Sequence, residues 1–211
     1  PYIDLAKKVF PHANIVVDKF HIVQLLTREL NKLRINEMKK LNTRSREYKI
    51  LKRYWKIPLR KKRDLNSIYF YKNRHFKNMT SSIDILDYML KEFPNLKEAY
   101  DFYQNFLLSI SKNDVAMLED ILNTRTDEIP MCFRKSIKSL KKLRKYVLNS
   151  LKYDYTNAMV EGKNNKIKVI KRVSYGYRSF RNFKARIMLM ERYKIQKGNI
   201  HSYKFAMDAA A

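Results

Sequence analysis

The chain has 211 residues and a formal net charge of +26, with three glycines, five prolines and one cysteine. It is long enough to bury a core, and an apolar content of 45% argues against disorder. The scarcity of glycine and proline points to long helices rather than a turn-rich β fold; the single Cys132 excludes an intrachain disulfide framework and a cysteine zinc site; and no apolar run is long enough to span a bilayer.

A surface so strongly self-repelling needs a polyanion to neutralise it, which makes nucleic acid the leading partner. An anionic membrane is the weaker reading, because the bases are spread along the chain and not gathered in one amphipathic segment. The charge comes in blocks. Residues 31–77 carry seventeen bases and three acids, residues 78–128 four bases and ten acids, and residues 134–197 twenty bases and three acids. Two basic regions flanking an acidic helical block suit a DNA-facing body with a separate packing module. No basic-then-apolar leader opens the chain, so the cytoplasm is the expected location. The start at Pro1-Tyr2, with no initiator Met, reads as a piece of something longer.

In chain order, Tyr2 to Phe10 reads as a short amphipathic helix ended by Pro11. Asn14-Ile15-Val16-Val17 is the clearest β signal, a β-branched run of buried-strand type. Asp18 then sits where open α/β sheets place functional groups, or caps the next helix. From Lys19 the apolar residues Phe20, Val23, Leu26, Leu30 and Leu33 recur at helical steps, and the helix is expected to run to about Trp55, with Pro58 as its stop. His21 lies three residues after Asp18, so the two can face the same way. Bases and aromatics interleave through Arg60–Phe76. Such rings either stack on nucleic acid or pack inward beneath solvated charges. Residues 80–125 give two or three helices, capped by Ser82, opened by Pro94, and capped by Asn113 or Asp114. After Pro130 a basic amphipathic helix reaches Leu151. A helix capped by Thr156 or Asn157 follows, then a turn at Tyr175-Gly176-Tyr177 and a last helix from Phe180 to about Tyr193. The tail from Gly198 has weak periodicity.

No glycine-rich phosphate loop, nucleophile elbow or His-x-x-x-His pair is present, so carboxylate chemistry is what remains. Thr156–Arg178 holds six bases and one acid, Glu161. Glu161 is either paired with Lys163, Lys166 or a neighbouring helix, or it is chemically employed. Carboxylates such as Asp18 and Glu161 can converge on Mg²⁺, which takes hard oxygen ligands, and two such ions can clamp a phosphodiester transfer.

The run from Asn157-Ala-Met-Val-Glu161-Gly-Lys-Asn164-Asn165-Lys166 through Tyr175-Gly176-Tyr177-Arg178-Ser-Phe180, with Phe183 and Arg186 beyond it, resembles the C-terminal signature of the ISL-three family of bacterial insertion-sequence transposases. Phe10-Pro11-His-Ala13 through Asp18-Lys-Phe20-His21-Ile-Val23-Gln24 resembles that family's upstream segment. The resemblance implies a mainly α chain that is the C-terminal part of an RNase H-like α/β fold interrupted by an all-helical insertion. On it, residues 1–30 and 150–197 are partial catalytic core, 31–149 the insertion region and 198–211 a tail.

The resemblance implies an Asp-Asp-Glu triad in which Glu161 is the Glu and a metal ligand. Its second Asp falls just upstream of residue 1, and Asp18 and His21 support the site. The implied cofactor is Mg²⁺ (or Mn²⁺). The implied partners are transposon ends and target DNA, with no membrane, and a homo-oligomer in the full-length parent, a bacterial nucleoid-associated protein. Lys163, Asn164, Asn165, Lys166, Lys168, Lys171, Arg172 and Arg178 are the implied DNA contacts. The parent would cleave and transfer DNA strands, and this chain alone would be inactive. The competing reading is a non-catalytic, basic helical nucleic-acid-binding protein in which Glu161 is structural.

Overall fold

The computed structural model describes residues 2–153, 155–196 and 199–202. They fall into two compact units divided between Tyr155 and Thr156. Both are built from helices, as the low glycine and proline content requires.

In the first unit α1 (Tyr2–Val9) ends before Pro11, and α2 (Lys19–Lys39) follows an extended link. The Asn14–Val17 run forms no strand among the described residues, contrary to its β-branched pattern. A strand needs a partner ladder, and here a helix satisfies this backbone. Val17 N–H donates to the Tyr146 carbonyl at 3.3 Å, and Asn149 Nδ2 donates to the Ile15 carbonyl at 2.9 Å. The predicted single helix to Trp55 is two, α2 and α3 (Arg46–Arg53). Polar side chains in the link compete for the backbone: Asn42 Oδ1 accepts Arg44 N–H at 2.8 Å, and Ser45 Oγ caps α3 by accepting Tyr48 N–H at 3.1 Å.

The acidic block gives three helices, α4 (Ser82–Glu92), α5 (Pro94–Lys112) and α6 (Val115–Asn123). The α4 cap is Ser81, one residue before the expected Ser82. Ser81 and Asp84 form a reciprocal capping box, which satisfies two otherwise orphaned donors. Pro94 opens α5, Asn113 closes it in a left-handed conformation (φ 53°), and Asp114 caps α6. The basic helix expected to run on to Leu151 is broken into α7 (Arg134–Lys142) and α8 (Arg144–Lys152) at Leu143, which carries ψ 17°. No glycine or proline marks that break.

The core joins one face of each of the helices α2 to α8. Leu26 and Leu30 of α2, Ile50 and Leu51 of α3, Met89 of α4, Tyr103 and Phe106 of α5, and Ile137 and Val147 of α7 and α8 share a single buried cluster. Arg34 is buried with them at 5% exposure. Its Nη1 donates to the Leu51 carbonyl at 2.7 Å and its Nε to Asn31 Oδ1 at 2.9 Å, which ties the end of α3 to α2. Burial pushes this guanidinium's pKa below its usual value.

The second unit holds α9 (Ala158–Val173) and α10 (Phe180–Arg192), followed by the antiparallel pair β1 (Tyr193–Gln196) and β2 (Asn199–Ser202). The predicted tail from Gly198 thus contributes a strand, and residues 203–211 lie outside the described residues. Tyr193 pairs with Ser202 and Gln196 with Asn199.

Candidate functional site

Helix α9 carries the residues singled out in the sequence. Asn157 holds its cap position, and the Asn157 carbonyl accepts Glu161 N–H at 2.9 Å. Glu161 in the first turn and Lys171 and Arg172 in the last complement the helix dipole. The helix ends where Gly176 adopts φ 101° and its N–H reaches back to the Lys171 carbonyl at 3.1 Å, a turn that favours glycine. Ser174 Oγ and Tyr177 OH lie 2.7 Å apart, and the Tyr177 and Phe183 rings are 4.9 Å apart, which fixes the lead into α10.

At about 100° per residue, positions three, four, seven and eleven beyond Glu161 share its side of the helix. Those positions are Asn164, Asn165, Lys168 and Arg172, with Lys171 at the margin; all are exposed. The helix therefore makes one continuous face of a carboxylate, two amides and three bases. Two of the predicted DNA contacts are turned away from it. Lys163 and Lys166 lie toward the side of Ile170, the buried residue of α9, and Lys166 Nζ donates to the Met190 carbonyl of α10 at 3.2 Å. Arg178 is exposed beyond the Gly176 turn. Arg181 and Lys184, exposed one turn apart on α10, extend the basic surface. The sequence reading left them out, although their three-residue step within a helix is a usable signal.

Asp18 and His21 belong to the other unit. Asp18 is the N-cap of α2: its Oδ1 accepts Phe20 N–H at 2.7 Å, and its carbonyl accepts His21 N–H at 3.1 Å. The exposed His21 ring lies edge-on to Phe20, with centroids 5.6 Å apart. The capping alternative is thus realised in the geometry.

Among the described residues no three His, Cys, Asp or Glu side chains gather as a metal site. Glu161 is the one carboxylate among the described side chains of the second unit.

A transposase family model of the DDE, ISL-three type matches residues 1–187. The chain belongs to that transposase family. The family is one of transposition and DNA recombination, its partner is DNA, and its DDE chemistry uses a divalent metal. The chain is also 38% identical over 121 residues to a Lactococcus lactis subsp. lactis protein described as an ATP-dependent protease, an alignment covering 57% of this chain and 38% of that protein. It thus spans well under half of that relative's length. No solved structure matches the chain. No helix among the described residues is long and apolar enough to cross a membrane.

Proposed function

We propose that this chain is the C-terminal part of the catalytic region of a DDE transposase, whose parent cleaves and transfers the DNA strands of an insertion sequence. The observation that carries the reading is the α9 face. Glu161 is held one to three turns from Asn164, Asn165, Lys168 and Arg172, with no apolar residue between them on that side. Lys168, Lys171 and Arg172 neutralise DNA phosphates, while the two amides hydrogen-bond backbone oxygens. Glu161 supplies one oxygen ligand for Mg²⁺ or Mn²⁺. On this reading the other ligands come from outside this chain, which is inactive alone. Asp18 and His21 serve as supporting residues.

An RNase H-like sheet would likewise come from residues outside this chain. On this reading residues 1–30 and 150–197 are core and 31–149 insertion, although α2 crosses from 30 to 31 without interruption. The exposed apolar residues of α9 and α10 support a missing layer: Met159, Val169, Val173 and Phe180 are 52–76% exposed. Scattered apolar residues are ordinary on a surface, but a dense set on two adjacent helices marks a contact face. The Lactococcus relative is described as an ATP-dependent protease; the three glycines of this chain are too far apart in sequence to form a phosphate loop.

The test uses the full-length transposase that carries this segment. Glu161→Gln abolishes strand cleavage and leaves DNA affinity within about twofold, because one neutralised carboxylate changes little in a field of this charge. Cleavage retained by the variant would make Glu161 structural and the protein a non-catalytic DNA binder at this helix.

A further inference from the structure

The link between α3 and α4 is a built loop that turns several of its rings to solvent. Asn66 fastens one end: its Oδ1 accepts Ile68 and Tyr69 N–H at 3.1 and 2.9 Å, its Nδ2 donates to the Tyr69 carbonyl at 2.7 Å, and its own carbonyl accepts Ser82 N–H at 3.1 Å. Tyr71 and Thr80 close the neck through a pair of backbone bonds of 3.2 and 3.1 Å. Arg46 of α3 pins the far side, with Nε donating to the His75 carbonyl at 2.6 Å and its guanidinium 5.0 and 4.8 Å from the Phe76 and Tyr88 rings. The rings do not all face the same way. Phe76 packs inward, whereas Tyr69 is 77% and Phe70 53% exposed.

Anchoring these rings outward places apolar surface in water that the fold does not require to be there. Their surroundings are cationic. Residues 60–77 carry seven bases and one acid. His75 is held below its ordinary pKa first by burial, then by Arg74, Arg53, Lys49 and Arg46, which places cations from the loop and from α3 in one field. Exposed aromatic faces within a cationic field, with almost no acid, match a chain of bases and phosphates. In a duplex the base faces are occupied by stacking, so only unpaired nucleotides offer them.

We propose that the 66–80 loop is a docking surface for unpaired nucleotides, with Tyr69 and Phe70 stacking on bases and Lys49, Arg53, Lys72 and Arg74 taking the flanking phosphates. This goes beyond the Glu161 reading and lies in the other compact unit. The surface is suited to holding a strand opened out of its duplex.

The 211-residue chain is titrated by fluorescence anisotropy against a labelled thymidine single strand and against a duplex of equal length. The double substitution Tyr69→Ala/Phe70→Ala weakens single-strand binding roughly tenfold or more, and duplex binding by less than about twofold. Tyr69→Phe/Phe70→Trp keeps single-strand affinity, because the π faces remain. Lys72→Gln/Arg74→Gln weakens both, with a salt slope lower by about 0.7 per lost phosphate contact on the single strand. The readout here is single-strand binding at the 66–80 loop, whereas the catalytic reading is tested by strand cleavage, so failure here and failure of the catalytic reading are separate results. Equal losses on both ligands from the double alanine variant would overturn the proposal in favour of a general DNA face. No loss on either would assign the rings to a protein partner. Circular dichroism checks the fold, and if the double variant is unfolded, Tyr69→Ala alone, at the most exposed ring, decides the matter by the same comparison.

Discussion

Two buried tyrosines on α5 give opposite expectations for the same substitution. Tyr103 is 1% exposed; its hydroxyl lies 2.7 Å from Thr27 Oγ1 and donates to the Leu59 carbonyl at 3.2 Å. Tyr100 is 2% exposed and its hydroxyl has no partner. Tyr103→Phe strands the Leu59 carbonyl and costs about 1–3 kcal/mol, whereas Tyr100→Phe removes a desolvated group with nothing to lose and is neutral or stabilising by up to about 1 kcal/mol. In urea unfolding followed by far-ultraviolet circular dichroism, the first change lowers the midpoint by about 1 M and the second leaves or raises it, for a slope of about 2 kcal/mol per M. The pH dependence supplies a second readout. Burial, then Asp101 and Asp87, push the Tyr100 phenol up to about 12. The unfolded phenol ionises near pH 10, so above that pH the unfolded state loses its proton first and stability falls. The fall levels off above about pH 12, and its size is on the order of 2–3 kcal/mol. Tyr100→Phe removes that share of the alkaline loss. Equal midpoints for the two variants, or a larger loss for Tyr100→Phe, would refute the reasoning.

Arg34→Met leaves the Leu51 carbonyl without its donor and is expected to cost about 1–3 kcal/mol, read by the same urea titration. Gly176→Ala forces an L side chain to φ 101° and costs about 1–2 kcal/mol. Gly162→Ala meets nothing within 4 Å and stabilises α9 by up to about 1 kcal/mol; thermal melts of both should move in opposite directions. Burial pushes the Cys132 thiol up to about 12, so the native protein reacts with a disulfide reagent at pH 8 far more slowly than the urea-unfolded chain, which a stopped-flow absorbance trace measures.

The helical architecture was legible where local chemistry and packing agree. Pro94, Asp114 and the Gly176 turn stand at the boundaries the sequence assigns them, and Leu26, Leu30, Tyr103 and Phe106 are buried as their spacing requires. Two of the misses share one physical cause: tertiary partners outweighed local pattern. Val16 and Val17 look like strand residues, yet α8 satisfies their backbone neighbourhood through Tyr146 and Asn149. The break at Leu143 carries no sequence mark, because Arg144 pairs with Glu119 and Asn123 on α6, contacts that periodicity does not encode. At the site, the grouping of Glu161 with Lys168 and Arg172 follows from helical spacing alone. The turning away of Lys163 and Lys166 follows from it as well, once Ile170 is known to face inward. The outward set of Tyr69 and Phe70 depends on Asn66 and on the Arg46 clamp, which only the folded chain brings together.

The open apolar residues of α9 and α10 have a practical consequence for handling the protein. Met159, Val173 and Phe180 are available for self-association, and what keeps molecules apart is mutual repulsion at a net charge of +26. The Debye length shrinks from about 8 Å in physiological salt to about 3 Å in 1 M salt. The high-salt wash that strips nucleic acid from a basic protein therefore also removes the barrier to clustering. Colloidal stability and freedom from bound DNA pull against each other in this chain.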